Sequence, residues 1–291
     1  MYINDLPQEI IAEIFSYLTQ QDMFRFHNTV CLLWTQIGLS PEFWKTVDFE
    51  TFYNDHSRQC FDNFYKIRNL IHTLIINDRP LDTFFNIYKE SDALFLNVRA
   101  LNVSPIRTKE LTNGIVYNFP RLEDIKIPED IQTDIQYCCQ VFSKLQLVSF
   151  DIIYYNSGTH DKKWDLINFV VNQHRLRKLV LRAFPFLINA AITEILNKSR
   201  TLKSLHLSDG CVSSSAFNDV TNYPELDELT IKSEHFTDEG LDCVTKHCKH
   251  LKVINIQRCK TITDTGISYV ATNCPLLQKL SMGKMFPKQH T

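Results

Sequence analysis

The chain has 291 residues, with 31 lysines and arginines against 33 aspartates and glutamates and a formal net charge of −2 at neutral pH. This balance gives no general attraction to nucleic acid or to an anionic membrane surface, so neither is predicted as a partner. The sequence contains no run of about 18 apolar residues, so no membrane span is predicted. Asp5, Glu9 and Glu13 interrupt the apolar residues that a signal peptide would need. Nine cysteines without an export signal predict reduced thiols and a location in the cytosol, the nucleus or both.

The N-terminal residues predict a short helix with a wide apolar face. Pro7 suits the first turn of a helix, where its missing N–H costs nothing. Leu6, Ile10, Ile14 and Leu18 follow at helical spacing and form one stripe. The stripe is too large for a short helix in water, so it is predicted to face a neighbour.

Two more short helices and a final turn are predicted up to residue 45. Thr19 and Asp22 have the form of a capping box, which predicts the start of the second helix. Val30 and Trp34 belong to the third segment, and Trp44 to the final turn. Three short helices in about 40 residues bury too little surface to be stable alone. Part of their apolar surface is therefore expected to be covered by another domain or by a partner.

Taken in order, these residues resemble an F-box. The matching run is Leu6-Pro7-x-Glu9-Ile10-Ile11-x-x-Ile14-Phe15-Ser16-Tyr17-Leu18, followed by Asp22-Met23, Val30-Cys31-x-x-Trp34 and Phe43-Trp44-Lys45. The resemblance implies a three-helix domain over residues 1–46 that docks on the Skp-type adaptor of a cullin–RING ubiquitin ligase. It assigns eight residues to adaptor binding: Leu6, Pro7, Ile10, Ile14, Leu18, Val30, Trp34 and Trp44. Leu32 and Leu33 depart from the family, which usually has arginine or lysine there. The alternative to an F-box is a helical hairpin whose apolar residues only form its own core.

The rest of the chain repeats the pattern L-x-x-L-x-L. Its first apolar positions are residues 44, 71, 98, 122, 145, 176, 202, 226, 251 and 277, which are 23 to 31 residues apart. This period predicts leucine-rich repeats, each with a short parallel strand and a helix. The predicted fold is an α/β leucine-rich-repeat solenoid over residues 47–291, with about nine to ten units, the last incomplete. Its curved parallel sheet carries the helices on the convex side and follows the F-box without a linker.

The helical halves of the later repeats also match one another. Thr237 and Thr263 stand 26 residues apart, each before an aspartate, and predict helix caps. Cys248 and Cys274 recur at the same spacing, as buried residues would. These features resemble the cysteine-containing class of leucine-rich repeat.

A metal site and an enzyme are the alternatives to a binding protein. Cys243, His247, Cys248, His250 and Cys259 crowd together, but they lack the second ligand pair that zinc sites favour. The sequence has no G-x-G-x-x-G, no G-x-x-x-x-G-K and no G-x-S-x-G. We therefore predict a non-catalytic protein without a metal or other cofactor.

The resemblance to F-box/leucine-rich-repeat proteins implies a function. It implies the substrate-recognition subunit of an SCF-type E3 ubiquitin ligase, which binds the Skp-type adaptor and, through it, the cullin and RING subunits. The repeats would bind a protein substrate of unknown identity and lead it to ubiquitin-dependent proteasomal degradation. The alternative is a protein-binding scaffold that acts outside ubiquitylation.

The outward positions of the regular repeats are the predicted substrate face. In L-x-x-L-x-L the leucines point inward, so alternation sends the third and fifth residues to the concave face, together with the residue that follows. The candidates are Lys178, Arg182, His206, Glu228, Lys232, Asn255 and Gln257, with Val180, Ser204, Thr230 and Val253 between them. The positive charges of Lys178, Arg182 and Lys232, with Phe184 and Phe186 in the adjoining loop, favour an acidic or phosphorylated peptide as the ligand. The alternative is that this face is ordinary solvated surface. At the C-terminus, Met285 and Phe286 are predicted to cover the last strand, unless the chain is truncated there.

Overall fold

The computed structural model describes residues 6–26, 31–50, 58–88, 94–104, 106–131, 134–154, 163–183, 189–208, 212–221 and 223–283. It divides into an N-terminal unit (residues 1–104 and 113–122) and a C-terminal unit (residues 105–112 and 123–291). Within the described parts, no helix combines the length and the apolar character needed to cross a bilayer. The predicted tail residues Met285 and Phe286 lie outside the described residues.

The N-terminal unit begins with the predicted short helices. They are α1 (Gln8–Ser16), α2 (Gln20–Phe26), α3 (Leu32–Gly38) and α4 (Pro41–Trp44). Pro7 stands just before α1 rather than inside its first turn, and its carbonyl accepts the Ile10 and Ile11 N–H groups at 3.1 Å. The predicted cap of α2 is confirmed, since Thr19 Oγ1 accepts the Asp22 N–H at 3.1 Å.

Parallel strands follow directly in the same unit. β1 (Thr46–Asp48), β2 (Thr73–Ile76) and β3 (Ala100–Val103) pair in chain order. The helices after them are α5 (Arg58–Ile67), α6 (Asp78–Tyr88) and α7 (Lys109–Asn118), and α7 continues across the limit between the units. The division predicted at residues 46 and 47 falls at β1, inside this unit, and stays a prediction.

Aromatic rings fill the core of the N-terminal unit where the leucine pattern is irregular. Phe49, Phe64, Phe84, Phe95 and Phe119 are all fully buried. The Phe84 ring lies 5.0 Å from that of Phe49 and 5.4 Å from that of Phe95, centroid to centroid. Edge-to-face and tilted rings at such distances attract one another beyond the burial of their area. These repeats therefore fill the strand–helix architecture with aromatic rings in place of a regular set of leucines.

The C-terminal unit repeats the strand–helix pattern with greater regularity. Its strands are β4 (Asp124–Asp130), β5 (Ser149–Ile153), β6 (Lys178–Arg182), β7 (Ser204–Ser208), β8 (Glu228–Lys232), β9 (Val253–Gln257) and β10 (Lys279–Met282). Its helices are α8 (Ile135–Phe142), α9 (Lys163–Asn172), α10 (Asn189–Lys198), α11 (Ser215–Asn218), α12 (Asp238–His247) and α13 (Asp264–Asn273). The strands are parallel and pair in chain order, and consecutive helices contact one another as a second layer. The predicted α/β leucine-rich-repeat fold is confirmed.

One repeat is offset from its predicted position. The pattern placed its first apolar residue at Leu145, with Val148 next. The strand pairing instead aligns Phe150 with Leu179, which makes Leu147 the equivalent residue. Leu147 is fully buried, whereas Val148 is partly exposed. The prediction at this copy is wrong by two residues because the run Leu145-Gln-Leu147 offers two leucines of the same parity.

The two predicted helix caps differ. Thr263 accepts the Thr265 N–H at 3.2 Å, as predicted. Thr237 occupies the same place before α12 but makes no such cap, and its hydroxyl lies 2.9 Å from that of Ser214 in the preceding repeat. Neighbouring repeats are thus joined by polar side chains as well as by strands.

Candidate adaptor-binding and substrate-binding surfaces

The helices of the F-box-like segment expose several apolar side chains to solvent. Ile10 is 43% exposed, Leu32 is 74% exposed and Tyr17 is 81% exposed. On the opposite face of α1, Phe15 is fully buried and its ring packs edge-on against Trp34, with centroids 5.2 Å apart. The inner face of α1 therefore belongs to the core of the unit, and its outer face presents apolar surface to solvent.

The structure separates the residues predicted to bind the adaptor. One group is exposed or half-buried, namely Leu6, Pro7, Ile10, Ile14 and Leu18. A second group, Trp34 and Trp44, is buried. Val30 lies outside the described residues. The surface open to a partner is therefore that of the first group.

Trp44 lies entirely inside the N-terminal unit. Its side chain has no exposed surface, and its indole Nε1 donates a hydrogen bond to the Gly38 carbonyl at 2.5 Å. That carbonyl ends α3, so the bond ties the third helix to the fourth. In this structure Trp44 supports the helical face from within.

A groove of about 380 Å³ lies between α1 and α3. It is lined by Gln8, Glu9, Ala12, Leu33, Gln36, Ile37, Ser40 and Glu42. Leu33 is one of the two leucines that replace the family's usual basic residue, and here it lines this groove. With the carboxylates of Glu9 and Glu42, the groove offers hydrogen-bond acceptors beside apolar side chains.

The strand register brings the predicted substrate-binding residues together on one face of the sheet. The register aligns three rows across β6 to β9: Lys178, Ser204, Glu228 and Val253; Val180, His206, Thr230 and Asn255; and Arg182, Ser208, Lys232 and Gln257. Adjacent strands lie about 4.8 Å apart, so neighbours within a row can interact. Lys178 is exposed, and the other six predicted residues are half-buried. We call the three aligned rows of residues the outward rows.

Several polar groups of the outward rows already have partners. The Arg182 guanidinium forms an ion pair with Asp151 on β5, and both side chains are largely buried, at 25% and 15% exposure. Ser204 Oγ donates to the Glu228 carboxylate at 2.9 Å. The positive charge of Arg182 is therefore matched within the chain, while Lys178 stays exposed to solvent.

His206 stands at the centre of the outward rows. Burial lowers the pKa of this imidazole from its usual value of 6.5, and the positive charge of Arg182 lowers it further. The carboxylates of Asp151 and Glu228 oppose the shift without reversing it. At neutral pH the imidazole is therefore uncharged and can both donate and accept a hydrogen bond.

Asp151 is the residue of this face that the sequence pattern missed. It follows Phe150 in β5 and aligns with Val180 in β6. The candidates were taken only from the regular repeats, from Leu176 onward, so Asp151 in the preceding repeat was left out, although its buried neighbours Phe150 and Ile152 mark it as an outward residue. Phe184 and Phe186, which were predicted beside this face, lie outside the described residues.

The cysteines of the later repeats are core residues. Cys248, Cys259 and Cys274 are buried, and burial raises the pKa of all three thiols. Among the described residues, no group of three or more histidine, cysteine, aspartate or glutamate side chains is arranged to hold a metal ion.

Comparison with known proteins finds similarity in both parts of the chain. Residues 3–50 match the F-box-like family. Residues 170–290 match the family described as FBD-associated F-box protein At5g56370, LRR repeats. The F-box/LRR-repeat protein 4 of Bos taurus is 33% identical over 87 residues, which is 28% of this chain and 14% of the bovine protein. The match therefore spans only a small part of that relative.

A solved structure supports the fold. A chain in the crystal structure of the Rad7 and Elc1 complex in yeast aligns with a TM-score of 0.61 and 16% identity, over 94% of this chain and 74% of that chain. At this identity the likeness concerns the fold alone.

The chain is a repeat protein with an F-box-like segment at its N-terminus and leucine-rich repeats after it. The resemblance to F-box/leucine-rich-repeat proteins that the sequence indicated is confirmed.

Proposed function

We propose that this protein is the substrate-recognition subunit of an SCF-type E3 ubiquitin ligase. The observation that carries the proposal is the exposed apolar face of an F-box-like segment whose inner face is already packed. Ile10, Tyr17 and Leu32 expose apolar surface on these helices, although Phe15 and Trp44 of the same segment are fully buried. A Skp-type adaptor would cover this face and bring the cullin and RING subunits with it.

The chain does no bond chemistry in this proposal. The repeats hold a protein substrate while the F-box-like segment holds the ligase, so a substrate lysine meets the ubiquitin-loaded enzyme at a raised effective concentration. Ubiquitin-dependent proteasomal degradation of the substrate follows, in the cytosol or the nucleus.

The first experiment tests adaptor binding. The double variant Leu6→Ala, Pro7→Ala should lose the adaptor in co-purification, because these residues are open to solvent beside the apolar face. Leu276→Ala is the matched control, since Leu276 is a 49% exposed leucine in the C-terminal unit. Full retention of the adaptor by the double variant would refute the assignment. Co-purification of adaptor without cullin would favour a scaffold that acts outside ubiquitylation.

The outward rows are our proposed substrate surface. Lys178 is exposed, and Lys232 lies in the same face two strands away, so an acidic or phosphorylated peptide remains the proposed substrate class. Such contacts weaken as salt screens them. Arg182 contributes less free charge than its sequence position suggested, because Asp151 pairs with it.

A charge reversal tests this surface once a substrate has been captured. The variant Lys178→Glu, Arg182→Glu should lose substrate ubiquitylation while it retains the adaptor. The control Lys144→Glu, Lys249→Glu makes the same change of net charge at exposed positions outside the strands. An unchanged ubiquitylation rate in the first variant would show that the face is ordinary surface.

A further inference from the structure

Gln20 joins the second helix of the F-box-like segment to the start of the first repeat. Its side-chain Nε2 donates two hydrogen bonds, to the Phe43 carbonyl at 2.8 Å and to the Thr46 carbonyl at 2.7 Å. The Thr19 cap places Gln20 at the first position of α2. A carboxamide nitrogen has two donors, so this one group supplies both of these bonds.

The segment that receives these bonds is itself fixed to the repeats. The Lys45 carbonyl, between the two acceptors, accepts the N–H groups of His72 at 3.0 Å and Thr73 at 2.9 Å. Thr73 is the first residue of β2 and pairs with Thr46 in β1. Three carbonyls within four residues therefore connect α2 on one side and the parallel strands on the other.

The core beneath this segment holds it in place. Trp44, which lies between Phe43 and Thr46 in the sequence, is fully buried, and its indole donates a hydrogen bond to the end of α3. The backbone from residue 43 to 46 thus has little freedom of its own. α2 packs on α3 and buries Met23, and the Gln20 carboxamide adds direct polar bonds from α2 to that backbone.

We infer that Gln20 is a positioning residue, a clamp that fixes the F-box-like helices on the first strands of the repeats. The role of this clamp in ubiquitin transfer rests on the proposed function. A receptor with a fixed junction presents a restricted set of lysines to the transferring enzyme, and a loose junction presents more of them at lower effective concentration. Gln20 acts through the junction and touches neither the substrate nor the transferring enzyme.

Two variants and one control test the clamp in the full chain. Gln20→Met keeps the length of the side chain and removes both donors. Gln20→Glu places a carboxylate against two carbonyl oxygens. Gln21→Met makes the first change at the next position of α2, which is also half-buried.

Two measurements on the free chain report the junction directly. Fluorophores attached through non-canonical amino acids at Glu13 and Asp82, both exposed, give the distance distribution between α1 and α6. Hydrogen exchange reports the amides of β1 and β2. We expect both Gln20 variants to broaden the distance distribution and to speed exchange in β1 by about tenfold. Adaptor affinity should stay within about twofold of wild type, since the exposed apolar face is unchanged.

A third readout separates positioning from a purely structural role. In the complex with adaptor, cullin and RING subunits, mass spectrometry maps which of the chain's own lysines receive ubiquitin. The Gln20 variants should spread ubiquitin over more lysines, whereas Gln21→Met should keep the wild-type set. A distance distribution and exchange rates equal to wild type in both Gln20 variants would overturn the clamp, and this result does not depend on the proposed function. A loosened junction with the wild-type set of lysines would overturn its positioning role.

Discussion

Two single variants, Trp44→Phe and Ile10→Ala, distinguish a residue that stabilises the F-box-like helices from one that contacts a partner. Both residues match the family's adaptor-binding pattern, but Trp44 has no exposed surface and Ile10 is 43% exposed. Trp44→Phe removes the indole donor and leaves the Gly38 carbonyl unpaired, at a cost of about 1–3 kcal/mol. The smaller ring leaves a cavity that adds about 1 kcal/mol. The free energy of unfolding should fall by about 2–4 kcal/mol in total.

Ile10→Ala should show the opposite behaviour. Its side chain is partly in solvent already, so the change should cost about 1 kcal/mol or less in stability. The same change removes apolar area from the proposed contact surface and should weaken adaptor binding about tenfold or more. Urea denaturation followed by far-ultraviolet circular dichroism gives the stability, and titration calorimetry with the adaptor gives the affinity of each folded variant.

The reasoning fails if the two variants exchange their roles. Loss of adaptor affinity by a fully stable Trp44→Phe protein would make Trp44 a direct contact, against its burial in this structure. Wild-type affinity of Ile10→Ala would remove the exposed face of α1 from the interface.

Three further predictions concern the C-terminal unit. Because the pKa of His206 is lowered in the folded chain, the stability that the neutral imidazole provides should be complete above about pH 6.5 and decrease as the pH falls through the folded pKa. Denaturation curves of His206→Gln should lack this decrease, and the same dependence of stability on pH in the variant and the wild type would contradict the prediction. Burial raises the pKa of Cys248 to about 12, so native Cys248 should resist iodoacetamide at pH 8 while the half-buried Cys31 reacts. Equal modification of the two cysteines in mass spectrometry would contradict this prediction. Gly266→Ala should lower the melting temperature although alanine favours helices, because the new methyl group would collide with the Asp238 carboxylate; a higher melting temperature would show that Asp238 moves aside.

Much of the fold could be predicted because leucine-rich repeats are local and periodic. Each L-x-x-L-x-L motif places its own strand. Of the ten strands that the structure describes, nine begin two residues after the predicted first position, as β6 does after Leu176 and β9 after Leu251. The Thr19 cap could likewise be inferred, since a cap involves residues only three apart. The resemblance to an F-box rested on residues that follow one another along α1 to α4.

What only the tertiary structure decided depends on groups that are distant along the chain. Pairing of β5 with β6 chose Leu147 over Leu145, because a strand's frame is set by its neighbours when the sequence permits two. The ion pair of Asp151 with Arg182, 31 residues away, also depends on the neighbouring strand, and it reduced the free positive charge of the predicted substrate face. A pattern of residue types also could not distinguish a tryptophan that contacts a partner from one that supports the surface, as Trp44 does. The Gln20 junction could not be predicted for the same reason. Its acceptors are backbone carbonyls 23 and 26 residues away, and every residue type has a backbone carbonyl, so no sequence pattern indicates this contact.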